Sequence, residues 1–383
     1  MLQAHRLRKP RVAVVYHFFA HYRSAIMQAL LDCQNIDYVL VGDRSDPDHS
    51  IEAWQPPQKK LLFTPCSKIT QTLIWQRGLI SLSLRRDIDV IIFLGNANFI
   101  STWVAAIMGK ITRKRILFWT HGWLQEERGI KAALRNLFYK LADGLLLYGD
   151  RAKRIGVQNG FSSETLYVVY NSLDYQTQKG IRMGASYDRL RHIRRQLFPD
   201  SQAPVLICTG RLVKQKCFGL LLEAMSLLQE QRFKSCLLLV GEGPERQSLT
   251  QKAKQLDLTV KFYGACYDEA RLAELIMSAN LTVSPGQVGL TAMHSLAYGT
   301  PVITHDDPAN QGPEWEAVIP GQTGDFFKRG DPKDLADTIR KWCLRVWPDM
   351  NVSRACTALI EHHYNPFFQK AIIERSVAGL PAD

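Results

Sequence analysis

Short apolar runs recur along the chain, separated by stretches of mixed polarity. In the first half they are Val12–Tyr16, Tyr38–Val41, Val90–Leu94, Ile116–Trp119, Leu145–Tyr148 and Leu166–Val169. Each is nearly continuous in aliphatic and aromatic residues, the mark of a strand buried on both faces. Between them Ser24–Leu31, Phe99–Met108, Ala132–Leu141 and Ala152–Asn159 repeat apolar positions at three- and four-residue spacing, which predicts helices. Beyond Pro204 the alternation restarts, with strands expected at Val205–Thr209, Cys236–Val240, Val260–Tyr263, Leu281–Ser284 and Val302–Thr304. Strands alternating with helices predict parallel sheets covered on both sides. The chain therefore reads as α/β, with two doubly wound, Rossmann-like domains facing each other across a cleft. Residues 1–180 are expected to form the first domain and 204–350 the second. Residues 181–203, polar and basic, read as a linker, and 351–383 as helices that pack back on the first domain.

Two stretches imitate membrane signals. Basic Arg6 to Arg11 precede the apolar run Val12 to Phe19, but His17 interrupts the run, and no small-residue cleavage site follows. A buried first strand fits better. Val90 to Gly109 is uncharged and long enough to cross a bilayer, yet Gly95-Asn96-Ala97-Asn98 splits it into strand, turn and helix. No transmembrane segment is expected.

The 383 residues suffice for two cores, and 46% hydrophobic with 22% charged residues describes a globular chain. The net charge of +12 favours anionic partners. The eight cysteines form no CxxC pair and several fall in apolar elements, so they read as reduced core residues of a cytoplasmic protein, with neither zinc nor disulfides.

Candidate chemistry gathers at the ends of the second-half strands. From Leu281 to Thr304 the pattern is strand, glycine loop, helix, strand, a parallel βαβ unit whose loop lies at a carboxyl strand end. A helix amino terminus there offers free N–H groups and a positive dipole end, which suit phosphate. Read alone, the loop is equally a tight turn with no ligand. The strand Val205–Thr209 runs into Gly210, where glycine lets the backbone turn closely, and Arg211 and Lys216 project from the loop that follows. Two such cations bind a diphosphate leaving group and stabilise charge growing on it; read alone, they are also a solvated basic loop. Gly264 and Ala265 end another strand, where exposed backbone can hydrogen-bond a nucleobase.

The phrases GRLVKQK, LLLVGEGPER, VKFYGA, the glycine loop with its helix, AYGTPVI, and GPEWEAV followed by GQTGDFF occur in this order. Together they resemble the retaining glycosyltransferases of the GT-B fold, in particular glycosyltransferase family 4 of the bacterial surface-polysaccharide type. The resemblance is strong over Val205–Trp342 and weaker but coherent over Arg11–Asp174. It implies a nucleotide-sugar donor bound mainly by the second domain and a glycan or lipid-linked acceptor bound mainly by the first. It implies diphosphate contacts from Arg211 and Lys216, donor contacts along Gly210, Gly264, Ala265, Gly286, Val288, Gly289, Leu290 and Thr291, and sugar contact from His121 at the end of strand Ile116–Trp119. One of Glu314 and Glu316 is expected to hold donor-sugar hydroxyls, or both are ordinary helix-start glutamates. The family's two glutamates fall on Gly286 and His294. A neutral imidazole at His294 has one acceptor nitrogen for a ribose hydroxyl, and backbone N–H groups of Val288 to Thr291 are expected to replace the missing loop carboxylate.

On the acceptor side, His17, Tyr22 and Arg23 follow the first strand; a satisfied turn explains them equally well. No DxD sequence stands in a convincing context, so no metal or other cofactor is expected. The basic runs Arg6–Arg11, Arg113–Arg115 and Arg189–Arg195 read as solvated faces, or as a surface for an anionic membrane if they cluster on the first domain. Nucleic-acid binding lacks any recognition module. Two other readings stay open: a nucleotide-sugar epimerase of the same fold, and a non-catalytic sugar- or membrane-binding relative.

Overall fold

The apolar runs become strands, and the alternation becomes two doubly wound sheets. The computed structural model describes residues 8–46, 51–199 and 202–382. Arg6 and Leu7 of the basic amino-terminal run, and residues 200–201 of the expected linker, lie outside the described residues. The chain divides into two units, Met1–Asp174 with Pro366–Asp383, and Tyr175–Asn365.

In the first unit the elements are β1 (Arg11–Phe18), α1 (Ser24–Leu31), β2 (Asp37–Asp43), β3 (Leu61–Phe63), β4 (Cys66–Lys68), β5 (Ile74–Gln76), α2 (Leu79–Leu84) and β6 (Val90–Leu94). There follow α3 (Ile100–Ile111), β7 (Arg115–Thr120), α4 (Ile130–Tyr139), β8 (Gly144–Leu147), α5 (Asp150–Gln158) and β9 (Leu166–Val168). Seven strands form one sheet in the order β3-β2-β1-β6-β7-β8-β9, and β4 and β5 pair separately and antiparallel. Alternate residues feed opposite cores, as a period of two requires. Ala13 and Val15 join Leu79, Leu82, Ala105, Ala106, Phe138 and Ile155 beneath α2 to α5. Val12, Val14 and Tyr16 join Ile26, Met27 and Leu30 of α1 on the other side.

The second unit begins with α6 (Tyr175–Met183) and α7 (Tyr187–Leu197), then β10 (Val205–Thr209), α8 (Phe218–Glu230), β11 (Cys236–Val240), α9 (Arg246–Gln255), β12 (Val260–Gly264) and α10 (Glu269–Met277). It continues with β13 (Leu281–Ser284), α11 (Leu290–Ala297), β14 (Val302–His305), β15 (Gly324–Phe327), α12 (Pro332–Cys343) and α13 (Met350–His362). The sheet order is β12-β11-β10-β13-β14-β15, all pairs parallel. The chain winds one way from β10 to β11 and the other way from β10 to β13. The topological switch point, where α/β sheets bind ligands, therefore lies at the carboxyl ends of β10 and β13.

Three expectations about domain limits are corrected. The stretch 181–203 is largely helical and belongs to the second unit. In α7, Leu190 and Ile193 are buried, Arg189 pairs with Glu274 at 2.9 Å, and Arg194 lies 4.1 Å over the Trp347 ring while bonding Asn280 at 2.9 Å. The basic run is thus engaged by its own unit. The second unit also extends past residue 350, because α13 packs on α11. Only α14 (Pro366–Val377) returns to the first unit, where Ile373 is fully buried beside α1 and the Arg115 guanidinium donates to the Ser376 carbonyl at 2.8 Å. Among the described residues no helix is long and apolar enough to cross a membrane.

Candidate functional site

At the switch point of the second unit, two loops meet backbone to backbone. The Gly286 N–H donates to the Lys216 carbonyl at 3.1 Å. A Cβ at Gly286 would stand 2.1 Å from the Gln215 carbonyl oxygen, so only glycine fits without displacing that turn. Lys216 closes the contact by donating from Nζ to the Gln287 carbonyl at 2.7 Å. Burial lowers the Lys216 pKa, and the carboxylate of buried Glu314 opposes that shift. A third tie joins the Thr291 hydroxyl to the Thr209 carbonyl at 3.2 Å.

The same loop is braced from behind. Gln311, 3% exposed, accepts the Val288 N–H at 2.9 Å and donates to the Thr304 hydroxyl at 2.7 Å and the His305 carbonyl at 3.2 Å. Thr304 in turn donates to the Ser284 carbonyl at 2.9 Å. Val288 therefore has no free N–H for a ligand, which corrects its expected role. Gly286 is buried against Gln215 and Lys216, so its part is close packing. The N–H groups of Gly289, Leu290 and Thr291 precede the first helical acceptor of α11 and donate to nothing among the described residues. Gly289 holds φ at 53°, a turn that β-carbon residues resist. The glycine loop thus offers three amides, not four, beside the Lys216 ammonium.

Loops after β10, β11 and β12 stack in a similar way. Gly210 donates to Val240 at 3.0 Å, Leu212 to Glu242 at 2.9 Å and Gly241 to Gly264 at 2.8 Å. A Cβ at Gly241 would lie 1.9 Å from the Gly210 carbonyl oxygen. This packing leaves Arg211 exposed, with no ion pair among the described residues. The Gly264 carbonyl is already bonded, so exposed Ala265 carries the backbone still on offer at that strand end.

His294, on α11, turns Nδ1 toward Glu269, whose Oε1 lies 3.5 Å away, beyond a good hydrogen bond. That carboxylate accepts from the Tyr298 hydroxyl at 2.5 Å and from Gln178 at 3.1 Å. Burial pushes the Glu269 pKa up, but His294, Tyr298 and Gln178 together hold it at about 2. Sequence reasoning missed Glu269, which stands 25 positions before His294; only the approach of α10 to α11 brings them together.

In the first unit, a second constellation forms where β1, β7 and β8 end. The Arg23 guanidinium lies 5.0 Å from the Tyr16 ring centre, 5.3 Å from Tyr148 and 5.5 Å from Trp119. It donates to the Tyr16 hydroxyl at 3.2 Å and also to the Tyr148 hydroxyl. The His121 ring sits 4.8 Å from that of Tyr148. One side of His121 is open to solvent, yet lost hydration on the crowded side, followed by the Arg23 charge, lowers its pKa to about 4. His121 is therefore a neutral imidazole at ordinary pH. Because its folded pKa lies below the usual 6.5, the folded state loses stability as pH falls from there toward 4. Tyr16, Trp119 and Tyr148 were not singled out from sequence, although a polar aromatic closing each apolar run is a readable signal. His17 packs on Phe18 and Phe99, with Nδ1 buried and unpartnered, and Tyr22 sits edge-on to His21. No group of three or more His, Cys, Asp or Glu suited to a metal occurs among the described residues.

Residues 191–345 match the family described as glycosyl transferases group 1. Over 128 residues the chain is 32% identical to a GDP-mannose-dependent alpha-(1-6)-phosphatidylinositol dimannoside mannosyltransferase of Mycobacterium tuberculosis, covering 32% of this chain and 33% of that protein. Over 150 residues it is 29% identical to the lipopolysaccharide core biosynthesis glycosyltransferase LpsE of Rhizobium meliloti, covering 39% and 42%. The chain thus spans well under half the length of these relatives. Among solved structures, HepE of Anabaena in complex with UDP superposes with a TM-score of 0.71 at 17% identity, covering 97% of this chain and 100% of that one, which is a likeness of fold.

Gly286→Ala is expected to lower the unfolding free energy by about 1–3 kcal/mol, as overpacking does, measured by urea denaturation. An unchanged midpoint would show that the Gln215–Lys216 turn yields freely.

Proposed function

From the premise that the chain carries a group 1 glycosyltransferase domain in a GT-B fold, we propose that it moves a sugar from a nucleoside-diphosphate donor to a hydroxyl of a glycan or lipid-linked acceptor, with retention of configuration, in polysaccharide or glycolipid synthesis. The observation that carries this reading is the clasp between Lys216 and the glycine loop. It holds an ammonium beside the free amides of Gly289 to Thr291, with exposed Arg211 on the preceding loop. Such a set of fixed donors suits the two phosphates of a leaving nucleoside diphosphate. The names of the relatives agree in kind: one is GDP-mannose-dependent, and HepE was solved with UDP.

As the bond from sugar to diphosphate breaks, negative charge grows on the leaving oxygen. Arg211, Lys216 and the α11 amides meet it without rearranging, which is where such sites gain most of their rate. The incoming hydroxyl approaches from the face that the diphosphate leaves, and a phosphate oxygen of the leaving group takes its proton. Neutral His121 is assigned to the transferred sugar, as a hydrogen-bonding group that adds no charge. The nearby Glu269 carboxylate favours the His294 tautomer with its proton on Nδ1, and Nε2 is then the acceptor for a ribose hydroxyl. Glu314, facing Lys216, is assigned to donor-sugar hydroxyls. The reaction on this reading needs no metal.

We place the protein on the cytoplasmic face of a membrane, held peripherally by anionic lipid. The basic runs support this less than the sequence suggested. Lys114 is buried and donates to the carbonyls of Arg85 and Ile88, Arg11 pairs with Asp37 and Asp87, and Arg189–Arg195 belongs to the second unit. The outer side of α4 supports it better. Ile130 is 88% exposed, Leu134 53% and Leu137 56%, at spacings of four and three, with Lys131 and Lys140 exposed among them.

Arg211→Ala and Lys216→Ala are each expected to lower kcat by about 100- to 1,000-fold while circular dichroism and melting temperature stay close to the parent. Rates near the parent's would remove their assigned role, and loss of all activity on EDTA treatment would contradict the metal-free mechanism. Leu134→Asp combined with Leu137→Asp should weaken cosedimentation with phosphatidylglycerol vesicles about tenfold or more. Equal binding by parent and variant would shift the membrane face elsewhere.

A further inference from the structure

Arg23 presents a charge without a counter-charge. Its guanidinium has five N–H donors, and two of them are engaged, both by neutral tyrosine hydroxyls. No carboxylate pairs with it among the described residues. Three aromatic faces surround it, and ring quadrupoles offset part of the cost of removing a cation from water. They do not supply an anion, and among the described residues the remaining N–H donors are left without a protein acceptor.

Other polar atoms nearby are also left unsatisfied. The indole N–H of Trp119, one of the three enclosing rings, is buried with no acceptor, and so is Nδ1 of His17. His17 and His121 both feel the Arg23 charge, which disfavours their protonated forms. The assembly sits where β1, β7 and β8 end, the rim at which parallel sheets receive ligands. Arg23 itself is only half-buried, so solvent still reaches it.

We propose that Arg23 binds an anionic group of the acceptor, a phosphoryl or carboxylate whose oxygens take the unused N–H donors, so that the acceptor is a charged sugar rather than a neutral one. This deepens the transferase reading and rests on it for the word acceptor; the anion site itself is tested without sugar transfer. The two hydroxyls take one N–H on each terminal nitrogen and leave Nε–H with a second N–H on each, a set that suits bidentate oxyanion binding. Lysine at this position would keep the charge and lose that set.

The test is NMR of the full chain with labelled histidines, following the His121 titration. Inorganic phosphate, glucose 6-phosphate, glucuronate and methyl glucoside are added in turn. An oxyanion beside Arg23 offsets the charge that disfavours imidazolium, so the charged ligands should raise the His121 midpoint by about one pH unit, a tenfold change in its proton affinity. A response to glucose 6-phosphate above glucuronate identifies a phosphoryl acceptor, and the reverse a carboxylate. Methyl glucoside should leave the midpoint in place.

The response should persist in the Arg211→Ala, Lys216→Ala double variant, which removes the anion site of the second unit. It should weaken about tenfold in Arg23→Lys, a change that retains the cation in the aromatic enclosure, and vanish in Arg23→Gln. A His121 midpoint unmoved by phosphate and both charged sugars, or moved equally in Arg23→Gln, overturns the proposal. So does equal kcat/KM for neutral and charged acceptors, an outcome that leaves the transferase itself standing. Anion binding at Arg23 in a chain that transfers no sugar would retain the site and remove its acceptor assignment.

Discussion

The approach of Gly286 to the backbone of Gln215 and Lys216 is the contact on which the candidate site of the second unit depends. A hydrogen bond of 3.1 Å crosses it, and no room remains there for a β-carbon. Two loops that leave different strands are thereby held at one distance. That distance lets Lys216 reach the Gln287 carbonyl and places its ammonium by the first turn of α11. A side chain at position 286 would displace the turn that carries the lysine.

Around this contact the polar groups divide by whether they are satisfied. Gln311, Thr304 and Thr323 are buried and hydrogen-bonded to backbone or, between Gln311 and Thr304, to each other, with Thr323 donating to Ala317 at 2.7 Å. They make the loops rigid, because a buried amide or hydroxyl without a partner is costly. Arg211, the amides of Gly289 to Thr291, and Arg23 with Trp119 are the groups left open at strand ends. Cations and N–H groups left open at two rims are the kind of donor that suits oxyanions.

Much of this was legible in the chain. The long strands were, because burial on both faces forces near-continuous aliphatic runs, and β10, β11 and β13 have the bounds read from sequence. The short strands β3, β4 and β5 were not, since none of them lies in a longer apolar run as β9 does. Helix α7 reads as linker because its polar residues outnumber its apolar ones; it is held by Leu190, Ile193 and the stacking of Arg194 on Trp347, which lies 153 positions away. Pairing at long range also hid the finer features of the site. Gln311 removes the Val288 amide from service across 23 positions. The enclosure of Arg23 needs the strand order that sets β1, β7 and β8 on one rim, and no local pattern announces that.

On the proposed function, the second unit recognises a diphosphate through Lys216, Arg211 and the α11 amides. Isothermal titration of the full chain with UDP and GDP, each set beside its parent nucleoside, tests it most directly. At least one diphosphate should bind about 100-fold or more tightly than its nucleoside, since charge-assisted contacts to phosphate supply most of the affinity. A nucleoside that binds as tightly as its diphosphate, or no binding by either diphosphate, would contradict the account.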